Sequence, residues 1–357
     1  MKRRHMATRS HDPIRSTHRG VRGIALLSAV LVLAAVMIPS YSDRSSVLAA
    51  PTKNTSIKVQ LSWLNNVEFA GIYLATAKGY FKKYGLSVTT DPGGTTIDPR
   101  SVVANGAAMI GTVAVGTDEA VAVARGADLR AFAAIYQKNP ACLMVRANSG
   151  IRTAQDLRGK TIGLQNPARD QVIGILNYNH IPLSSVKLIV VGFDPTPFAL
   201  GKVDAYTAFA FNEPVTMKLK GIKVRCLSLS DLGLPAYGDI FIAKRSTVQS
   251  QPDVLAHFTK AVQMGWQYTV AHPQVVTQLV LRDFAKDQDP KQQKLQVGVE
   301  IPLLKSADTS MHGLLWMNPR TWARSLSFLY AQHLISKSLK VKDVETQSIL
   351  TRVAQLH

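Results

Sequence analysis

From residue 57 the chain reads IKVQLSWLNNVEFAGIYLATAKGYFKKYGLSVTT, ending at Thr90. Ile57–Leu61 is a short apolar run suited to a strand. Phe69, Tyr73, Ala77, Tyr80/Phe81 and Tyr84 then recur at helical spacing, which predicts a helix over 65–84. Asn65 is placed to cap it, with Glu68 three residues on in capping-box position, and Gly85 ends it. Leu86–Thr90 is the next strand. Strand, helix, strand within 34 residues is the signature of a parallel sheet and an α/β fold.

The same alternation continues outward. Strands are expected over 108–115, 129–136 and 141–146, with helices over 98–105 and 116–125. Near 147 the pattern restarts. Strands fall at 161–164, 187–191, 205–209 and 224–227. Helices fall at 153–157, from Asn166-Pro167 through 178, at 197–200 and at 213–220. After a strand over 240–243 the chain is helical: 252–271, 273–285, 289–304, 319–333 and 343–355. This layout predicts two lobes joined by two crossovers, near 145–150 and 232–240. Lobe one comprises residues 50–146 and 238–357, and lobe two residues 147–237. A cleft between such lobes suits a small ligand, and hinge closure is its natural motion.

The chain has 357 residues with a formal net charge of +19, 46% hydrophobic and 18% charged residues, and two Cys. That apolar content excludes a disordered chain, and two Cys exclude a disulfide scaffold. The charge suggests a nucleic-acid partner until its position is considered. Residues 1–23 hold seven Lys/Arg against Asp12, and Ile24–Ile38 is uncharged and apolar. Val47 and Ala49 offer small residues for cleavage after Ala49. Residues 1–49 therefore read as a secretory signal peptide or, uncleaved, an N-terminal anchor. They carry six units of the net charge. The rest is scattered, with no nucleic-acid-binding motif. No metal-ligand spacing occurs among the nine His, and no cofactor is expected.

Several segments in order resemble one family. They are Trp63-Leu64-Asn65-Asn66-Val67-Glu68-Phe69-Ala70-Gly71, Gly79-Tyr80-Phe81, Pro92-Gly93-Gly94, Gly116-Thr117-Asp118, Asp156-Leu157-Arg158-Gly159-Lys160, and Phe211-Asn212-Glu213. The chain over about 57–330 is similar to solute-binding proteins of the thiamine-pyrimidine-precursor, riboflavin and sulfonate superfamily. The resemblance implies a two-lobed periplasmic-binding-protein type II fold and no enzymatic activity. It implies an exported monomer that hands a small heterocycle to an ABC permease and its ATPase. A fungal branch of the superfamily is an enzyme that uses a cysteine-rich iron motif. Two distant Cys and an export signal argue against that branch.

The candidate ligand residues are Trp63, Asn65, Glu68, Thr117, Asp118, Tyr136, Gln137, Arg169, Asn212, Glu213 and Tyr237. Trp63 follows the first strand, where strand C-termini face the cleft, and could stack on a flat ring. Asn65 and Glu68 are placed to serve either as caps or as ligand contacts. Thr117 and Asp118 open a helix, and acids there disfavour an anionic ligand. Tyr136 with Gln137, and Tyr237, could supply walls. Arg169 sits against a helix dipole. The resemblance places Asn212-Glu213 at the ligand, where a carboxylate can pair with an amidine-like edge. An aminopyrimidine is the favoured ligand, riboflavin the alternative, and an alkanesulfonate or nitrate-type anion less suited. Cys142 and Cys226 fall in different lobes by this layout and are expected as two buried thiols.

Overall fold

The computed structural model describes residues 54–356, apart from 95, 166, 167 and 193. The expected targeting segment, and the helix start at Asn166-Pro167, lie outside the described residues.

The chain opens with β1 (Thr55–Gln60), α1 (Ala70–Ala77), α2 (Tyr80–Lys83), β2 (Leu86–Asp91), α3 (Pro99–Ala104), β3 (Ile110–Val115), α4 (Gly116–Ala124) and β4 (Leu129–Tyr136). Next come β5 (Ala141–Arg146), β6 (Thr161–Leu164), α5 (Arg169–Tyr178), β7 (Lys187–Val190), α6 (Thr196–Ala199), β8 (Ala205–Phe209), α7 (Glu213–Leu219) and β9 (Val224–Ser228). The final stretch is β10 (Gly238–Lys244), α8 (Arg245–Ser250), α9 (Pro252–Ala271), α10 (Pro273–Asp283), α11 (Pro290–Glu300), α12 (Ala307–His312), α13 (Pro319–Ala331), α14 (Val341–Val344) and α15 (Ser348–Ala354).

Two five-stranded sheets form, ordered β2-β1-β3-β10-β4 and β7-β6-β8-β5-β9. In each, four strands run in one direction and one strand, β10 or β5, lies antiparallel to both its neighbours. This corrects one expectation. β5 belongs to the second sheet, so the first crossover lies at residues 137–140, before β5, rather than near 145–150. β4 and β5 are both short apolar strands, and nothing in their composition separates them. The second crossover joins Ser228 to Gly238. The two crossovers touch: a Cβ on Gly238 would run into the ring of Pro140.

The long helix expected over 65–84 is broken. Gly79 takes φ +72°, a left-handed turn that splits α1 from α2. The cap is Asn66, not Asn65: its side chain accepts the Glu68 N–H at 2.7 Å. Asn65 instead accepts the Tyr73 hydroxyl at 2.9 Å.

α1 packs on α9 with glycines at the crossing. An added Cβ at Gly265 would meet the Gly71 backbone, and one at Gly71 the Trp266 indole. Trp266 and Phe258 of α9 and Phe241 of β10 are fully buried beside them. Replacing Gly265 by Ala forces the helices apart, and thermal denaturation should show a loss of about 1–3 kcal/mol or more.

The expectation of two thiols is also corrected. Cys142 on β5 and Cys226 on β9 form a disulfide with Cα atoms 5.4 Å apart. Moving β5 into the second sheet makes these strands neighbours, so the bond lies within one lobe and spans no hinge. It closes a separation of 84 residues. Reduction, or a Cys142→Ser/Cys226→Ser double variant, should cost about 2–4 kcal/mol by chemical denaturation.

Candidate functional site

The C-terminal ends of β1, β3, β6 and β8 converge on a cleft between the sheets, as parallel topology requires. Its cavity is about 380 Å³. One side carries Ser62 and Trp63 after β1, Glu68, the 96–100 segment, Val113–Val115 and Asp118. The other carries Ala141, Cys142, Gln165, Gln171, Thr207–Phe209, Asn212 and Glu213.

Among the sequence-derived candidates, Trp63, Glu68, Asp118, Asn212 and Glu213 line this cavity. The other six do not. Asn65 bonds Tyr73, and Thr117, in the first turn of α4, is 1% exposed. Tyr136 is buried against Phe211 and Trp266. The Gln137 amide donates to the Trp316 carbonyl at 2.9 Å. Arg169 is exposed. The Tyr237 hydroxyl accepts the Asn318 N–H at 2.6 Å. These tyrosines end or precede crossover strands, and alternation turns their rings into the core.

Glu213 is 3% exposed. Its Oε2 accepts the Phe209 N–H at 2.8 Å, and its Oε1 accepts from Gln165 at 3.2 Å and from Asn212 at 3.5 Å. Burial raises its pKa to about 7, against the lowering effect of those donors. Asp118 receives the Gln171 amide on both oxygens at 3.0 Å. Burial raises it to about 6, offset in part by the Arg100 charge.

Arg100 is a lining residue that sequence reading missed. It pairs with Asp98 at 2.8 Å and donates to the Asp118 backbone carbonyl at 2.7 Å. The pair could have been found from the Asp98-Pro99-Arg100 sequence, since Asp98 also caps α3 through the Arg100 N–H. Burial pushes Asp98 up, but the Arg100 hydrogen bonds and charge outweigh it and hold Asp98 below its usual value.

A third group lies behind Glu68. Asp239 of β10 and Glu300 of α11 are both fully buried. Burial first, then the Asp239 charge, raises Glu68, and burial raises Glu300 to about 8. Three glutamines of α11 continue this group towards lobe two. Gln296 donates to Glu300 at 2.7 Å, Gln293 to Gln296 at 3.2 Å and to Gln292 at 2.8 Å, and Gln292 to Asn212 at 2.8 Å. A buried polar chain thus links Asn212 on one side of the cleft to Asn66 and Glu68 on the other. Among the described residues, no group of His, Cys, Asp and Glu is arranged to hold a metal ion, and no helix is long and apolar enough to cross a membrane.

Such a pair of sheets with reciprocal crossovers is the periplasmic-binding-protein type II architecture. The chain belongs to the NMT1/THI5-like family, whose model matches residues 66–275. It is similar to the riboflavin-binding protein RibY of Chloroflexus aurantiacus, at 24% identity over 92% of this chain and 96% of that protein. It is also similar to the formylaminopyrimidine-binding protein of Halalkalibacterium halodurans, at 24% identity over 90% and 96%. Among solved structures, the alkanesulfonate-binding protein SsuA of Xanthomonas axonopodis pv. citri, bound to MOPS, superposes with TM-score 0.63. That match has 16% identity and covers 83% of this chain and 99% of that one.

The raised carboxyls set a pH dependence of stability. Asp118, Glu213 and Glu300 hold protons in the fold at pH values where the unfolded chain has lost them. Their contribution is full below about pH 4, the unfolded carboxyl range, and is lost as pH rises through about 6–8. Glu68, Glu119, Asp239 and Glu345 are raised by burial as well, whereas His257, lowered by burial, acts in the opposite sense as a single group. Urea midpoints should therefore be higher at pH 5 than at pH 8.

Proposed function

We propose that this chain is the extracytoplasmic solute-binding component of an ABC importer and that it captures an aromatic heterocycle of the aminopyrimidine class. It performs no chemistry on its ligand. Lobe closure around the cleft and presentation to a permease are its whole task, with no nucleic acid involved. The relatives named as binding proteins support the role. The signal-like segment at residues 1–49 supports export.

The observation that carries the ligand class is Glu213 with Asn212 on the lobe-two wall, across the cavity from the Trp63 ring. A ring nitrogen beside an exocyclic amine presents an acceptor and a donor in line. A carboxyl whose pKa is raised to about 7 complements that edge when it carries a proton itself or when the ring nitrogen does. Trp63 supplies a stacking face. The four cleft carboxyls, Glu68, Asp98, Asp118 and Glu213, face one Arg100, which disfavours a sulfonate.

Riboflavin is the second reading, favoured by the cavity volume of about 380 Å³. That lies within the range of about 300–1,000 Å³ for pockets holding drug-sized ligands.

Native mass spectrometry of the purified protein should reveal a bound heterocycle, and thermal shifts should rank formylaminopyrimidine above an alkanesulfonate. A yellow preparation with flavin absorbance selects the second reading. Glu213→Gln should weaken binding by about tenfold or more. An amide there turns its NH2 towards the Phe209 N–H or the Gln165 and Asn212 amides, donor against donor. Unchanged affinity in that variant removes Glu213 from the site.

A further inference from the structure

Glu68 and Asp239 pose a chemical problem. Both are buried and their carboxyl groups adjoin, and Asp239 Oδ2 has no donor, yet two carboxylates are both acceptors. A proton must lie between them, and the surrounding hydrogen bonds show on which side it belongs. The Thr112 hydroxyl donates to Ser62 Oγ at 3.0 Å, and Ser62 Oγ donates onward to Asp239 Oδ1 at 3.1 Å. Asp239 is thus an acceptor on that side. Asn66 Oδ1 accepts the Glu68 N–H at 2.7 Å and the Gln296 amide at 3.2 Å. Its NH2 therefore faces Glu68 Oε2, at 3.5 Å. Each acid thus meets one donor, but Ser62 lies closer to Asp239 than the Asn66 amide does to Glu68, so Asp239 is the better-stabilised anion and the other Glu68 oxygen carries the proton towards it.

The charges facing this pair do not neutralise it. From α11 comes Glu300, and from β10 Asp239 itself. The tyrosines that feel Glu68, Tyr73 of α1 and Tyr136 of β4, are uncharged phenols raised further by burial. The charges that act most strongly on Glu68 are those of Asp239 and Glu300, both acids. The backbone holds the arrangement at a cost: Asp239 sits at φ +40°, a left-handed conformation uncommon for a non-glycine residue.

We propose that Glu68 stands in the cleft as an uncharged carboxylic acid, its proton shared with Asp239, and that it selects an uncharged ligand directing an N–H at its carbonyl oxygen. This deepens the ligand reading above and rests on it. A cationic ligand would have to expel that proton. An anionic one would approach the charge of Asp239, and the one arginine on that wall, Arg100, is already paired with Asp98.

Glu68→Gln tests both parts. A glutamine side chain reproduces the acid, with its N–H towards Asp239 and its carbonyl towards Asn66 and the ligand. Infrared spectroscopy of the ligand-free protein at pH 7 should show a protonated-carboxyl stretch, part of which Glu68→Gln removes. An unchanged band overturns the shared proton. Glu68→Asp keeps an acid in place and should move that part of the band rather than abolish it; here too an unchanged band overturns the proposal. For whichever of formylaminopyrimidine or riboflavin binds the wild type, Glu68→Gln should change affinity by less than about fivefold. A larger loss means that Glu68 acts as an anion and overturns the selection. If neither compound binds the wild type, the ligand reading fails and the selection with it, while the infrared result still decides the proton.

Discussion

Each sheet of this protein is completed by a strand that arrives from the other lobe. β10 lies antiparallel between β3 and β4, and β5 lies antiparallel between β8 and β9. Those exchanged strands force the crossovers side by side, so that Gly238 packs on Pro140. They also fix the polarity of the rest: the parallel strands of both sheets end on the same gap. The cleft is therefore a consequence of connectivity. Asp239 owes its place to the same constraint. It is the second residue of the returning strand, and it meets Glu68 because β10 enters the sheet at that point.

Much of this was legible in the sequence because it is local. Period-two apolar runs located β4, β5, β6 and β8 to the residue, and 252–271 was readable as a helix from its apolar spacing. Trp63 and Asp118 were singled out because a strand end or a helix start is a local signal that faces a cleft in this class of fold, and Glu213 because the family resemblance places it at the ligand. What failed was non-local. Which sheet owns β5 depends on pairing with β8 and β9, over sixty residues away, and the Cys142–Cys226 bond was misread for that reason alone. Tyr136 and Tyr237 sit beside the cleft in sequence yet point into the core, since a one-residue change of phase along a strand reverses a side chain. Nothing in the sequence sets Gln292, Gln293 and Gln296 apart from the solvent face of a helix. Burial makes them a chain of amides, and no composition rule distinguishes the two.

The glutamines explain how so many acids can be buried in one region. A buried polar group without a partner costs about 1–3 kcal/mol, and a half-satisfied network is worse than an apolar core. Along α11 Gln293 gives its NH2 to the carbonyls of Gln292 and Gln296, and the series ends on the amide oxygen of Asn212 in one direction and a carboxyl oxygen of Glu300 in the other. Such a chain satisfies polar atoms without adding charge. It could not offset a cluster of carboxylates, which is why protonation rather than ion pairing is the available solution around Glu68.

Two carboxyls of the cleft then stand in opposite environments. Glu213 is ringed by donors: the Phe209 N–H, the Gln165 amide and the Asn212 amide all point at its oxygens. Donors favour the charged form and pull against burial. Glu68 faces an acceptor, Asp239, and a like charge behind it, and both favour the neutral form. One wall of the cleft thus leans towards accepting hydrogen bonds with charge, and the other offers a carbonyl without it. A ligand satisfying both has N–H groups at two separated edges and no net charge to place. A substituted aminopyrimidine and a flavin ring each have that pattern; a sulfonate has neither feature. Discrimination of this kind comes from polar groups left unpaired when the wrong molecule enters, and it depends on where two protons sit rather than on the total charge of the chain.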